Sequence, residues 1–265
     1  MNQISSSVCR NPPLKILYQD ADLIAIDKPS GLLVHRSPVD RWETRFAIQA
    51  LRDQIGAIVH PCHRLDKATS GILLFALCPT VRADVGSAFE AGLVSKEYFA
   101  IVRGWPTDNA IIDHPLERLD PLSADPIGNA QPALTHLRVL ATTELAIRVD
   151  RYPTSRYALV SLKPTTGRRH QLRRHVRHIN HPIIGDTTYG HGRHNRLFRE
   201  QYQCHRLLLA AVGLTLTHPR SGQTITIHAA PAPDFCAVAD RLGWSDVAEL
   251  QALATPIAST HLCDP

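Results

Sequence analysis

The loop His63-Arg64-Leu65-Asp66-Lys67-Ala68-Thr69-Ser70-Gly71 runs straight into the apolar block Ile72 to Leu77. Six apolar residues in a row, short of a helix and bounded by turn formers, read as a buried strand. The loop is delivered by Pro61 to the lip of that strand, so Asp66 stands between charged neighbours on a rigid scaffold, where reactive groups are often held. Plain turn chemistry explains the same residues, with Asp66 accepting bonds from the amides of Thr69 and Ser70. Spacing alone favours the plainer reading.

Upstream, Leu14 to Tyr18 and Leu23 to Asp27 predict a β-hairpin, and Lys28-Pro29-Ser30-Gly31 supplies a turn. Ala47, Leu51 and Ile55 recur at helical spacing over residues 44–55. Downstream, Thr80 is placed to cap a helix carrying Val81, Val85, Ala88 and Phe89 and stopped by Gly92. Residues 97–103, 134–140, 145–149, 157–163, 212–217 and 224–228 read as strands, and Asp234 as the cap of a last core helix ending at Gly243. Residues 107–132, rich in Pro, Asp and Leu, read as an irregular insertion. Strands outnumber helices and many connections are too short for crossovers. The expected class is therefore α+β, a mixed, mainly antiparallel central sheet with flanking helices.

A chain of 265 residues, 44% hydrophobic and 20% charged, is long enough to close one sizeable core. Ile72 to Cys78, its longest apolar run, falls far short of the roughly 20 residues that cross a bilayer. The first fifteen residues hold no apolar block before a cleavage site, so a soluble, cytoplasmic protein without a membrane partner is expected. Six scattered cysteines without a C-x-x-C pair fit reduced thiols. Residues 1–13 read as a flexible leader, 14–243 as one catalytic domain, and 244–265 as a C-terminal helix and tail.

Charge is unevenly spread. Residues 163–206 carry ten Lys or Arg against two acids, Asp186 and Glu200, whereas the whole chain is only +5. A phosphate-bearing polymer is the natural counter-charge; a solvated helix in an arginine-rich chain is the bland alternative. Within that segment Thr166-Gly167 opens a turn and a helix follows, with Leu172, Val176 and Ile179 as its buried stripe and Arg169, Arg173 and Arg177 as a basic row. An arginine of this row meeting Asp66 would favour the ionised carboxylate that a nucleophile requires, and its planar fork suits that pairing better than lysine. His170, His175, His178 and His181 lack an interleaved acid, so they read as solvated or polyanion-facing rather than as metal ligands. No phosphate loop, dinucleotide fingerprint or G-x-S-x-G elbow is present. Neither a cofactor nor a metal is expected.

These pieces resemble the pseudouridine synthases of the RluA family. His63 to Gly71 matches the family's H-R-L-D-x-x-T-S-G, and Lys28-Pro29-Ser30-Gly31 its K-P-x-G turn. Lys96, Tyr98, Ala100, Val102 and Gly104 match its alternating strand motif. Pro164 to Arg173 together with His181-Pro182-Ile183-x-Gly185-Asp186 matches a further signature. Other stretches are similar to a branch acting on uridine 65 of tRNA, in the acceptor and T-stem region: His35-Arg36-Ser37 with Asp40-Arg41, Arg52 to Gly56, Val102 to Trp105 and Arg151 to Tyr157.

The resemblance implies a fold with a central RNA-binding cleft, a tRNA substrate and a redox-neutral isomerisation. It implies Asp66 as nucleophile, Arg173 as its ion-pair partner, Tyr98 stacking on the flipped uracil and Arg64 displacing the base. Leu172, Arg168, Arg169, Arg177 and His63 are the accompanying substrate-binding candidates. A monomer with no obligate protein partner is expected, and the dozen or so residues before the first strand are too few for the S4-like RNA-binding domain that some relatives carry, leaving RNA capture to the +8 segment. Where the family commonly has L-L-L-H-A, this chain reads Leu207-Leu208-Leu209-Ala210-Ala211. Ribosomal RNA alone or beside tRNA, a non-catalytic RNA-binding or folding factor, and a metal-dependent hydrolase using the histidines are the other readings.

Overall fold

The computed structural model describes residues 12–36, 41–120 and 126–254. In chain order the elements are β1 (Lys15–Gln19), β2 (Leu23–Lys28), α1 (Ala47–Ile55), β3 (His60–Pro61), β4 (Ser70–Ala76), α2 (Pro79–Glu90), β5 (Ser95–Arg103), β6 (Ala110–Asp113), β7 (Leu116–Leu119), β8 (Pro126–Gln131), β9 (Leu134–Leu145), β10 (Ser155–Pro164), α3 (Gln171–His178), α4 (Gly192–Tyr202), β11 (Leu209–Thr217), β12 (Thr224–His228), α5 (Pro233–Arg241) and α6 (Ala248–Ala254). The main sheet runs β1-β2-β4-β11-β5-β10-β9-β6, with β3 on β4 and β12 on β11; β7 and β8 pair apart from it. Among the strand pairs of the described residues only β4 and β11 run parallel, so the mainly antiparallel α+β class is observed.

β4 is apolar throughout because both faces of the sheet are covered. Ile72, Leu74 and Ala76 pack with Val81 and Val85 of α2, while Leu73 and Phe75 pack with Ala47 and Leu51 of α1. In β5 and β10 the same alternation sends Phe99, Ile101, Tyr157 and Leu159 toward α4 and α5, and Ala100, Val102, Ala158 and Val160 toward α3. The face carrying α1 and α3 therefore holds two apolar clusters, and Tyr98 packs against both. The seam between them is where Asp66 is found.

At that seam β4 and β11 pair over only two residues, Ser70 with Ala210 and Gly71 with Ala211. Gly71 has φ +105°, and a Cβ there would lie 2.1 Å from the Ala211 carbonyl oxygen, so the parallel approach requires glycine.

Four sequence expectations are corrected. Thr80 does not cap α2, and Asp234 does not cap α5: each helix begins two residues earlier than those caps would give, at Pro79 and Pro233, with Cys78 and Ala232 at the cap positions. Proline's fixed φ and missing N–H suit the first helical position, which draws the following residue inside. Residues 134–145 form one strand, and 146–149 are unpaired; the alternation of Leu145, Ile147 and Val149 reflects packing on the α4–α5 core rather than a ladder. Residues 107–132 are not irregular but carry β6, β7 and β8; β8 is exposed throughout and so has no apolar alternation to betray it. The expected leader lies outside the described residues apart from Pro12 and Pro13, as does the tail beyond Ala254.

Two histidines serve as neutral spacers. The His63 ring stacks on Phe89 of α2 at 4.8 Å between centroids, and its Nε2 accepts the Leu74 amide at 3.1 Å. Burial, and then the Lys96 charge, push its imidazole down to about 4. His175 is fully buried: its Nε2 donates to the His114 carbonyl, so its Nδ1 accepts from Thr135 Oγ1, which in turn accepts from Gln171 Nε2. Burial holds this ring too below the ordinary histidine range.

Gly71→Ala is expected to cost about 3 kcal/mol in urea unfolding, since neither the backbone angle nor the Ala211 carbonyl leaves room for a methyl group. Both histidines bind a proton less readily folded than unfolded, so stability is full above about pH 6.5 and falls as pH drops toward about 4. The urea midpoint followed across that window should decline, and the decline should be shallower in His63→Gln.

Candidate active site

The loop before β4 is laced to the turn after β2. Lys28, fully buried at the end of β2, donates through Nζ to the carbonyls of Pro29 (2.9 Å), Leu32 (2.9 Å) and Lys67 (3.2 Å). Burial, and then the Arg206 charge, push this ammonium down to about 7. Ser30 Oγ donates to the Ala68 carbonyl at 2.7 Å and the Gly31 amide to the Lys67 carbonyl at 2.8 Å. Arg206 grips the other end, its Nη2 2.6 Å from Ser70 Oγ. The Lys-Pro-Ser-Gly turn thus clamps the backbone of residues 67 and 68, and Arg206 holds Ser70.

Within the clamped loop, the Thr69 amide bonds the main-chain carbonyl of Asp66 at 3.0 Å. The expected turn is present, but main chain supplies its acceptor, and the Asp66 carboxylate points elsewhere. It is 28% exposed, with Oδ2 3.3 Å from Arg173 Nη1 and Oδ1 3.8 Å from His170 Nε2.

Arg173 projects from α3 into the interior and is shared unequally. Its Nε and Nη2 donate to Oδ2 and Oδ1 of Asp186 at 2.7 and 2.8 Å, a bidentate pair, while Nη1 reaches Asp66. Asp186 Oδ1 also accepts the amides of Thr188 and Tyr189, both at 2.9 Å. Burial opposes both charges, but the mutual bonds outweigh it: the Arg173 guanidinium is held above its usual range and the Asp186 carboxyl below its own. Tyr189 completes the cage, its ring 5.0 Å from the Arg173 guanidinium and its hydroxyl 3.0 Å from His170 Nδ1. His170 takes the left-handed conformation, φ +54°, at the α3 cap position.

The structure brings Asp66, Arg173 and Tyr98 together. Tyr98 is half-buried at the centre of the seam, and burial followed by the Asp66 charge pushes its phenol up. Leu172 is buried in the cluster under α3. Arg64 is exposed on the same loop as Asp66.

Other candidates lie apart from this group. His63 faces α2, as described. Arg168 Nε donates to the Pro132 carbonyl at 3.1 Å, and Arg169 Nη1 to the Asp120 carbonyl at 2.5 Å, tying the α3 entrance to the β7–β8 hairpin; Arg174 Nη1 bonds the Glu117 carbonyl likewise. The expected basic row is therefore broken: Arg169 precedes the helix, Arg173 is interior, and only Arg177 is exposed on it. Ala210, where the family commonly has histidine, is buried toward α4 and α5, on the opposite face of the sheet from the seam.

Sequence reasoning missed Asp186, His170, Tyr189 and Arg206 as parts of this assembly. Asp186 left a signal, being one of only two acids within the basic segment. Among the described residues one group has metal-ligand geometry, Asp150 with His191 and His194. It lies at the start of α4, and its carboxylate is already matched by His194 at 3.0 Å and Arg193 at 3.4 Å.

Residues 22–178 match the family described as RNA pseudouridylate synthase. The tRNA pseudouridine synthase C of Pectobacterium carotovorum subsp. carotovorum is 46% identical over 256 residues, 92% of this chain and 68% of that protein. The tRNA pseudouridine synthase C of Vibrio cholerae serotype O1 is 46% identical over 237 residues, 88% of this chain and 97% of that protein. Among solved structures, Human RNA Pseudouridylate Synthase Domain Containing 4 is 26% identical with a TM-score of 0.66, covering 86% of this chain and 93% of that one.

Because Arg173 leans on Asp186 rather than on Asp66, the two acids should differ sharply when neutralised. Asp186→Asn is expected to cost about 3 kcal/mol in urea unfolding, as for one partner of a buried ion pair, and Asp66→Asn under about 1 kcal/mol. Equal costs would contradict the unequal sharing.

Proposed function

We propose that this chain, which belongs to the RNA pseudouridylate synthase family, converts uridine 65 of tRNA to pseudouridine, with Asp66 as the nucleophile. The tRNA substrate follows the relatives named tRNA pseudouridine synthase C, and the position follows the stretches similar to the uridine 65 branch. Residues 14–243 are the catalytic unit in this reading, acting as a cytoplasmic monomer without an obligate protein partner.

The observation that carries the proposal is a carboxylate left partly open at a seam, 3.3 Å from a guanidinium that another acid already fixes. A carboxylate so placed can add to the target nucleotide and leave again without dismantling its surroundings. In the reaction the N1–C1′ bond breaks and a C5–C1′ bond forms. The C5 proton passes to solvent and N1 gains one, so atoms balance without oxidant or reductant.

A uridine within a paired stem must first be extruded. Arg64, exposed beside Asp66, is suited to take the vacated place, and Tyr98 offers a ring face to the extruded base beside the Leu172 cluster. Arg177 is suited to meet flanking phosphate. Arg168 and Arg169 shape the α3 entrance through their carbonyl bonds, and His63 supports the loop from behind.

Asp66→Asn should abolish tritium release from tRNA carrying 5-tritiated uridine while binding tRNA within about three-fold of wild type, as a lost reacting group differs from a lost anchor. Tritium release by that variant would overturn the nucleophile assignment. A wild-type chain that binds tRNA transcript but never releases tritium would favour the non-catalytic RNA-binding reading.

A further inference from the structure

Arg168, Arg169 and Arg174 of the basic segment are committed to protein carbonyls, so that segment does not supply every contact to RNA. The end of the sheet beyond β5 carries an aromatic and basic platform that the reaction does not use. Trp105, 41% exposed, lies beneath the Arg156 guanidinium, whose Cζ is 4.3 Å from the ring centroid, and its Nε1 donates to the Thr143 carbonyl at 3.1 Å. Glu144 engages Arg156 Nε at 3.2 Å. In the segment that leads into β10, Tyr152, 59% exposed, lies under Arg151 at 4.7 Å.

Three observations place this platform in line with the catalytic seam. Ser70 pairs with Ala210, and Ala210 with Phe99, so the C-terminal end of β5 is the end at which the Asp66 loop enters the sheet. Arg156 alternates with Tyr157, which faces α4, so Arg156 is on the α3 side with Tyr98. The α3 segment spans the two places: His170 stands beside Asp66, and His181, just past the helix, bonds the Arg103 carbonyl through Nδ1 at 2.8 Å. From Tyr98 to Arg103, the last residue of β5, is roughly 16 Å at about 3.3 Å per strand residue, and Trp105 follows after the turn at Gly104.

We propose that Trp105, Arg156, Arg151 and Tyr152 form a docking surface for the sugar-phosphate backbone of the RNA stem flanking the extruded nucleotide. The inference rests on the tRNA reading above and deepens it. Helical RNA is recognised through its phosphates and 2′-hydroxyls, and a guanidinium laid flat on a ring presents a charged N–H edge to such groups. Exposed aromatic side chains under arginines also suit this use better than solvent, which gains nothing from them. The platform reads stem shape, not the target base.

The test measures affinity of the full chain for unmodified tRNA transcript and for a short hairpin that carries the target uridine but too few flanking base pairs to reach the platform, across a salt series. The double variant Arg151→Gln with Arg156→Gln changes exposed side chains alone. It should weaken binding to full-length transcript about ten-fold, flatten the log–log salt slope by about 2, and leave hairpin binding unchanged. Trp105→Ala should weaken full-length binding with an unaltered slope, since it removes no charge. Unchanged affinity and slope in the double variant would overturn the docking surface, as would an equal loss on the hairpin. Because binding is read directly, wild-type chain without isomerase activity would count against Asp66 chemistry and not against the platform.

Discussion

Arg173 is caught between two carboxylates, and how it is divided between them organises the rest of the site. Burying a guanidinium costs several kcal/mol unless good geometry offsets it. Asp186 provides that geometry, with two short bonds and two backbone amides behind it. The structural debt of the buried charge is thus settled away from the reacting acid. Asp66 receives a single N–H from Nη1, long and partly open to solvent, which gives it a neighbouring positive charge without tying it down.

The basic segment illustrates how far net charge can mislead about location. Several of its arginines end on protein carbonyls, joining α3 to the β7–β8 hairpin, and one supports the catalytic loop through Ser70. Arginine serves well here because its head group bonds several acceptors at once while its stem covers apolar surface. The charge itself remains, but the N–H groups committed to these carbonyls are no longer free to bond a polyanion directly.

The α+β class was legible because β2, β4, β5 and β10 carry unambiguous apolar alternation or continuous apolar runs. β8 was not, since an exposed hairpin strand leaves no burial pattern, and the helix starts were missed because proline took the first position from the expected caps. At the site, Asp66 with Arg173 was implied by the family resemblance of their motifs, but Asp186, Tyr189 and His170 could not be given roles. Their partners are separated by several residues and a turn, and no periodicity links them. The clamp made by Lys28 was equally hidden, because a buried lysine bonding three carbonyls looks in sequence like any turn residue.

The ladder joining β4 to β11 covers two residues, whereas β9 and β10 are matched over ten. On the far side of the sheet, by contrast, α2 with β2, β4, β11 and β12 shares one continuous apolar cluster. At this join the sheet is therefore held chiefly by side chains packed on its back, with few main-chain bonds beneath the loop that carries Asp66.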